Sequence, residues 1–124
     1  MNIITAEQAP VFNFDGVEFT GYAAPSRGSG ELCAWQIRVG GNHDSAAPHT
    51  LDHDEVFLVT SGRLRFGPDG PAVAAGDCAI VPAGEPLQLS NPDDQDATAY
   101  VLIRAGFSAK LADGTAFGTP PWAA

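Results

Sequence analysis

Hydrophobic residues occur along this chain in short runs that alternate with polar ones. The segments "VEFTGYA", "LCAWQIRV", "EVFLVTSG", "RLRFG", "CAIVP", "LQLS" and "TAYVLIRAG" are rich in Val, Ile, Leu, Phe and Tyr and bounded by turn residues, so each reads as a β-strand. The period of two assigns faces. Cys33, Trp35, Ile37 and Val39 share one side of their strand, opposite Gln36 and Arg38; Glu55, Phe57 and Val59 share another, as do Leu87 and Leu89. No window carries an amphipathic helical pattern of useful length. "FSAKLAD" reads as a single helical turn. Many short strands with close turn signals predict an all-β sandwich or barrel.

The breaks between runs are chemical. Fourteen Gly and ten Pro punctuate the chain at short intervals. "RLRFGPDGPAVAAGD" reads as a hairpin around "PDG", where proline presets φ and glycine accepts positive φ. "SNPDDQDA" is a polar loop, and the tail over about 107–124 is too proline-rich for a central strand. Trp122 in that tail is expected to dock on the barrel or on a partner subunit, because a free Trp suits a surface poorly.

Composition narrows the function. A chain of 124 residues, 44% hydrophobic, suits one domain spanning 1–124 with a real core. No apolar run approaches the roughly 20 residues of a membrane span. "MNIITAEQAP" lacks a secretory pattern, so a cytoplasmic protein is expected. Fifteen acidic residues against six basic ones give a formal charge of -9, which repels nucleic acid and anionic lipid. Arg27 in "PSRGSG" reads as a surface residue or a grip at a pocket mouth, and Arg63 and Arg65 as one solvent face. Tyr100 is left open between core and pocket. Cys33 and Cys78 form no framework and no CxxC, so each is expected as a small buried hydrophobe in a reducing compartment. Neither a nucleotide loop nor a nucleophile motif is present.

The chemistry concentrates between about residues 41 and 91. "PHTLDHDEVFLVTSG" holds His49, Glu55 and Gly62, and "GDCAIVPAGEPLQLSN" holds Gly76, Pro82, Gly84 and Asn91. These spacings resemble the two motifs of the cupin superfamily: His-x-His, three or four residues, Glu, six residues, Gly; then Gly, five residues, Pro-x-Gly, two residues, His, three residues, Asn. The resemblance implies a double-stranded β-helix, a jelly-roll barrel, with the face of Glu55, Phe57 and Val59 turned inward. His49 matches the first metal-ligating histidine of the family and Glu55 its glutamate. The second histidine position is Leu51, and that of the second motif is Leu87.

Two leucines among four ligand positions leave two donors where a tightly held ion wants three or more. No metal or other cofactor is therefore expected; His49 and Glu55 are remnant positions. His53, two residues before Glu55, is the best rescue donor, yet the resemblance places it on a turn at the rim. His43 sits in a loop, and Gln88 points away from Leu87 by alternation. The leading expectation is a metal-independent cupin that binds a small organic molecule in a largely apolar pocket lined by Trp35, His49, Leu51, Glu55, Phe57 and Leu87. His49 and Glu55 are the candidate catalytic pair, expected in direct or water-bridged contact, since such a pair can exchange protons without an ion. Two alternatives stay open: a metal-dependent enzyme of dioxygenase, isomerase or cyclase type with an atypical ligand set, and a structural or interaction domain with a filled barrel. A homodimer is the expected assembly, with neither nucleic acid nor membrane as a partner.

Overall fold

The computed structural model describes residues 1–45 and 47–124. Eleven strands account for almost all its regular structure: β1 (Val11–Phe14), β2 (Val17–Ala23), β3 (Leu32–Val39), β4 (His49–Leu51), β5 (Glu55–Ser61), β6 (Arg63–Leu64), β7 (Val73–Ala74), β8 (Cys78–Val81), β9 (Ala97–Arg104), β10 (Ala109–Leu111) and β11 (Ala116–Gly118). Single 3-10 turns cover Pro25–Arg27 and Pro121–Ala123. Among the described residues no helix is long and apolar enough to cross a membrane.

The strands form a jelly-roll barrel. One wall is a six-stranded antiparallel sheet in the order β1-β2-β3-β9-β5-β8. The facing wall is the three-stranded sheet β11-β10-β4, extended where His49 and Leu87 exchange backbone hydrogen bonds of 3.0 and 2.8 Å. β6 and β7 pair as a separate two-stranded hairpin. The core lies between the walls, where Cys33, Trp35, Ile37, Val39, Phe57, Val59, Val101 and Ile103 meet Leu51, Leu87, Leu89 and Phe107. Alternation alone produces the first of these faces, since the burial of β3 switches with every residue from Cys33 to Ile37.

The motif residues outside the ligand positions serve the backbone. Gly62 takes φ +67°, and a Cβ there would lie 2.8 Å from the Asp96 carbonyl oxygen, so the turn from β5 to β6 requires glycine. Asn91 is buried and donates to the carbonyls of Val39 (3.2 Å) and Gln95 (2.8 Å), while its Oδ1 accepts from the Asp93 N–H (3.1 Å). One side chain thus pins the polar loop before β9.

Four readings of the sequence are corrected. "FSAKLAD" contains strand β10, because pairing to β4 supplies its backbone hydrogen bonds. "LQLS" is no continuous strand: Leu87 bridges to β4 while Ser90 bridges to Asp44 and Arg65, so its hydrogen bonds diverge. Cys78 is exposed, since alternation on β8 turns it outward with Ile80. Arg27 neither lines the mouth nor stands free, because its guanidinium donates to the carbonyls of Tyr22 (3.2 Å) and Trp122 (2.7 Å). It clamps the tail. The tail contributes β11 at the sheet edge and then folds back over its own barrel, where Trp122 stacks on Phe19 with ring centroids 3.8 Å apart.

Candidate functional site

A cavity of about 380 Å³ opens between the two walls. Trp35 reaches it from β3, His49 and Leu51 from β4, Glu55 and Phe57 from β5, and Leu87 from the segment bridged to β4. The six pocket residues named from the sequence therefore surround one space. His53 and His43 are not among its lining residues. His53 sits on the turn before β5, its Nδ1 2.7 Å from Asp52 Oδ1, and Asp52 also accepts the Ser108 N–H at 2.8 Å. His43 packs over Gly16. Gln88 points away and donates to the Ser45 carbonyl at 3.2 Å. Arg63 and Arg65 are exposed, and Arg63 forks onto Asp93 at 2.7 and 2.9 Å. Tyr100 faces outward.

Much of the wall was not read from the sequence. Phe14, Val17 and Phe19 enter from the N-terminal hairpin, and Phe107, Phe117 and Trp122 from the C-terminal tail. Seven aromatic rings line the cavity, five Phe and two Trp, out of seven Phe and two Trp in the whole chain. "VEFTGYA" reads as a strand, and its period of two sets Val17 and Phe19 on one face, a signal the sequence reading did not use and one that names no wall for that face to join. Gly21, paired with Trp35, leaves the space that the Arg27 guanidinium and the Trp122 carbonyl fill.

The site's electrostatics follow from burial. Glu55 is 4% exposed, and its Oε2 has no hydrogen-bond partner among the described residues. Desolvation of the carboxylate raises its pKa to about 8, so the group is largely a neutral carboxylic acid at pH 7. Burial lowers the His49 pKa, and the nearby Asp15 carboxylate opposes that shift. The two groups thus face the cavity as a neutral acid and a mostly neutral imidazole. Of the direct or water-bridged contact expected between them, the direct form is not present among the described residues: no hydrogen bond or ion pair within 4.0 Å joins the two side chains. Apolar neighbours hold both groups uncharged, which removes the attraction that would pull them together.

The four positions that the cupin resemblance assigns to a metal hold one imidazole, one carboxyl and two leucines. Leu51 and Leu87 are both buried and both line the cavity. Among the described residues no group of three or more His, Cys, Asp or Glu side chains is placed to hold an ion. The donor set does not fit a resident metal. It does fit hydrogen bonding to a ligand: the acid can donate to an oxygen, and the imidazole can accept or return a proton.

A family model described as a cupin domain matches residues 35–103, from within β3 to within β9. None of the curated proteins compared with the chain matches it. Several solved structures share the fold. The polyketide cyclase RemF from Streptomyces resistomycificus superposes with a TM-score of 0.70 at 18% identity, covering 84% of this chain and 79% of that one. A cupin-superfamily sugar phosphate isomerase from Silicibacter pomeroyi gives 0.63 at 27% identity, covering 80% and 67%. An RmlC-like cupin from Ralstonia eutropha gives 0.74 at 9% identity, covering 97% and 78%.

Proposed function

The chain belongs to the cupin domain family, and from that membership we propose that its barrel binds a small, flat, largely apolar organic molecule without the help of a resident metal ion. The observation that carries this reading is the open cavity walled by seven aromatic rings and by the buried Glu55 carboxyl, whose Oε2 has no hydrogen-bond partner among the described residues. Its volume lies at the lower end of the range for small-molecule sites. A filled barrel would leave no such space. Of the two named activities among the similar structures, the lining suits a polyketide-like ring better than a sugar phosphate. Among the described residues Lys110 is the one Lys or Arg on the cavity wall, and the polar lining groups are too few to match a ring of hydroxyls.

A second reading is favoured by Glu55 alone. A carboxylic acid that holds its proton at pH 7 inside an apolar pocket can protonate a carbonyl oxygen of a bound ring, and neutral His49 can take a proton in return. The protein would then be a metal-free acid–base enzyme on the same ligand class.

Both tryptophans line the cavity, so intrinsic fluorescence reports occupancy directly. Titration with naphthol or anthraquinone probes is expected to quench it saturably. Leu87→Trp, which fills the space with a bulky ring, is expected to abolish the response while far-UV dichroism stays native. Unsaturable quenching in the wild type, or quenching unchanged by Leu87→Trp, would refute the binding site. Glu55→Gln separates the two readings: binding without turnover marks an acid, and loss of both marks an anchor.

Metal independence has its own test. Elemental analysis of the purified protein is expected to show no stoichiometric transition metal, and one Fe, Mn, Ni or Zn per chain would overturn that. Leu51→His combined with Leu87→His raises the donors to four and is expected to create tight binding of a divalent transition metal. A folded double variant that binds none would show that positions 49, 51, 55 and 87 do not converge as a ligand set.

A further inference from the structure

The polar groups of the cavity wall are not spread evenly along it. Besides the two indole N–H groups, the described lining carries Asp15, Ser45, His49, Glu55 and Lys110, and of these only Glu55 is buried. Ser45 and His49 are half-buried, and Asp15 and Lys110 are exposed. The aromatic lining is graded too. Trp35 and Phe57 are buried, whereas Phe14 and Phe117 stay 48% and 41% exposed, with ring centroids 5.4 Å apart. The exposed lining residues mark the mouth of the cavity, and Glu55 belongs to its inner end. Asp15 and Lys110 at the mouth are of opposite sign, so together they select no net charge.

The strand registers separate the two ends. Glu55 pairs with Ile103, which pairs with Cys33 near the start of β3. Phe14 pairs with Val17, which pairs with Val39 at the end of β3. The Glu55 row and the Phe14 row therefore stand about 20 Å apart along the strands. Between them the inward positions carry Trp35, Phe57, Ile37 and Phe19, all of which line the cavity. A long, narrow, largely hydrocarbon passage thus joins an aromatic mouth to a buried carboxyl.

We infer that the ligand is an elongated aromatic ketone that binds oxygen end first, with its carbonyl against the Glu55 carboxyl and its hydrocarbon end at the Phe14 and Phe117 rings of the mouth. The orientation rests on the reading of the barrel as a small-molecule site. It is the reverse of an ordinary amphiphile, which keeps its polar end in water. Two costs set it. A desolvated carboxyl whose Oε2 lacks a partner is costly, and an acceptor oxygen on the ligand relieves that cost. A neutral acid donates one hydrogen bond, which matches an uncharged carbonyl. At the mouth, two half-exposed rings lose water only when another apolar surface covers them.

Equilibrium dialysis of the full chain against three probes tests the orientation. They are 2-acetylnaphthalene, its isostere 2-isopropenylnaphthalene, in which a methylene replaces the carbonyl oxygen, and 2-acetyl-6-phenylnaphthalene, whose phenyl group lies opposite the ketone. The wild type is expected to bind the ketone about tenfold more tightly than the alkene. Glu55→Leu is expected to erase that preference by weakening the ketone alone, and Glu55→Gln, which keeps an N–H donor, to retain it in part. Phe14→Ala combined with Phe117→Ala is expected to weaken the phenyl ketone about fivefold and the unsubstituted ketone by less than about twofold. Both rings are already half exposed, so the fold is at little risk, and far-UV dichroism verifies it. Equal wild-type affinity for ketone and alkene would overturn the orientation and leave the binding site standing. So would equal losses of ketone and alkene in Glu55→Leu, or equal losses of both ketones in the double variant. No saturable binding of any probe would refute the cavity as a site, and the orientation with it.

Discussion

Glu55→Gln is expected to gain stability relative to the wild-type chain as pH rises from about 4.5 to about 8, by about 5 kcal/mol across the window. The sign follows from linkage. The unfolded carboxyl ionises near 4.5, whereas burial in the fold holds the proton to about 8. Through that interval the unfolded state has released a proton that the native state still holds, so unfolding becomes easier by about 1.4 kcal/mol for each pH unit. The contribution of Glu55 is complete below 4.5 and lost as pH passes 8. Glutamine does not titrate, so the variant escapes the loss whatever constant offset its amide introduces.

Other groups do not mimic this slope. Asp52, Asp93 and Asp113 have pKa values lowered by hydrogen bonds, so their contributions are present above 3.8 and fade only as pH falls below it. His49, lowered by burial, adds stability as pH rises toward 6.5, the opposite direction, and it does so in both proteins. Urea denaturation of wild type and variant at a series of pH values gives the difference directly. Parallel profiles would mean that Glu55 is ionised in the native state and that the site is anionic.

Trp122→Ala is expected to destabilise the protein by about 3–5 kcal/mol, a fall in melting temperature on the order of 10–20 °C for a domain of this size. The ring is 7% exposed, stacked on Phe19 at 3.8 Å and tilted against Phe12 and Phe14 at 6.3 Å. Its carbonyl receives the Arg27 guanidinium, the Ser26 hydroxyl donates to the Ala124 carbonyl at 2.6 Å, and the Cys33 thiol lies 3.4 Å from the Ala123 carbonyl. Truncation after Gly114 is expected to cost at least as much, since it also removes Phe117, whose ring lies 5.4 Å from Phe14. The same segment walls the cavity, so truncation is expected to weaken binding of flat aromatic probes in parallel. A truncated chain of unchanged stability would show that the tail is not held on its own barrel.

These two experiments address parts of the molecule that differ in how far they can be read from residues. Strands β2, β3, β5, β8 and β9 lie in runs that read as strands, because a pleated backbone sends successive side chains to opposite faces regardless of what lies beyond. Gly62 and Asn91 stood out through the motif resemblance, and the structure supplies the reason for those residue types: a positive φ at one and a pinned loop at the other. Motif spacing brought His49, Leu51, Glu55 and Leu87 to one place, and the loss of two donors was visible as soon as those positions were compared.

Long-range contact decided the rest. "FSAKLAD" has no strand signal of its own and became β10 because an unpaired edge of β4 was there to receive it. Cys78 sits in an apolar run, yet its strand lies at the sheet edge with its outward positions uncovered. Trp122 could be recognised as needing cover, but its partner Phe19 lies 103 residues earlier and nothing near either one names the other. Alternation along β5 determined that Glu55 points inward; whether it would meet His49, water or bare hydrocarbon depended on how walls from both ends of the chain closed around it. Periodicity is a property of neighbours in sequence, and it survives in the sequence alone. The proton on Glu55 and the aromatic lining arise from desolvation and pairing between distant segments, and only the folded arrangement of those segments sets them.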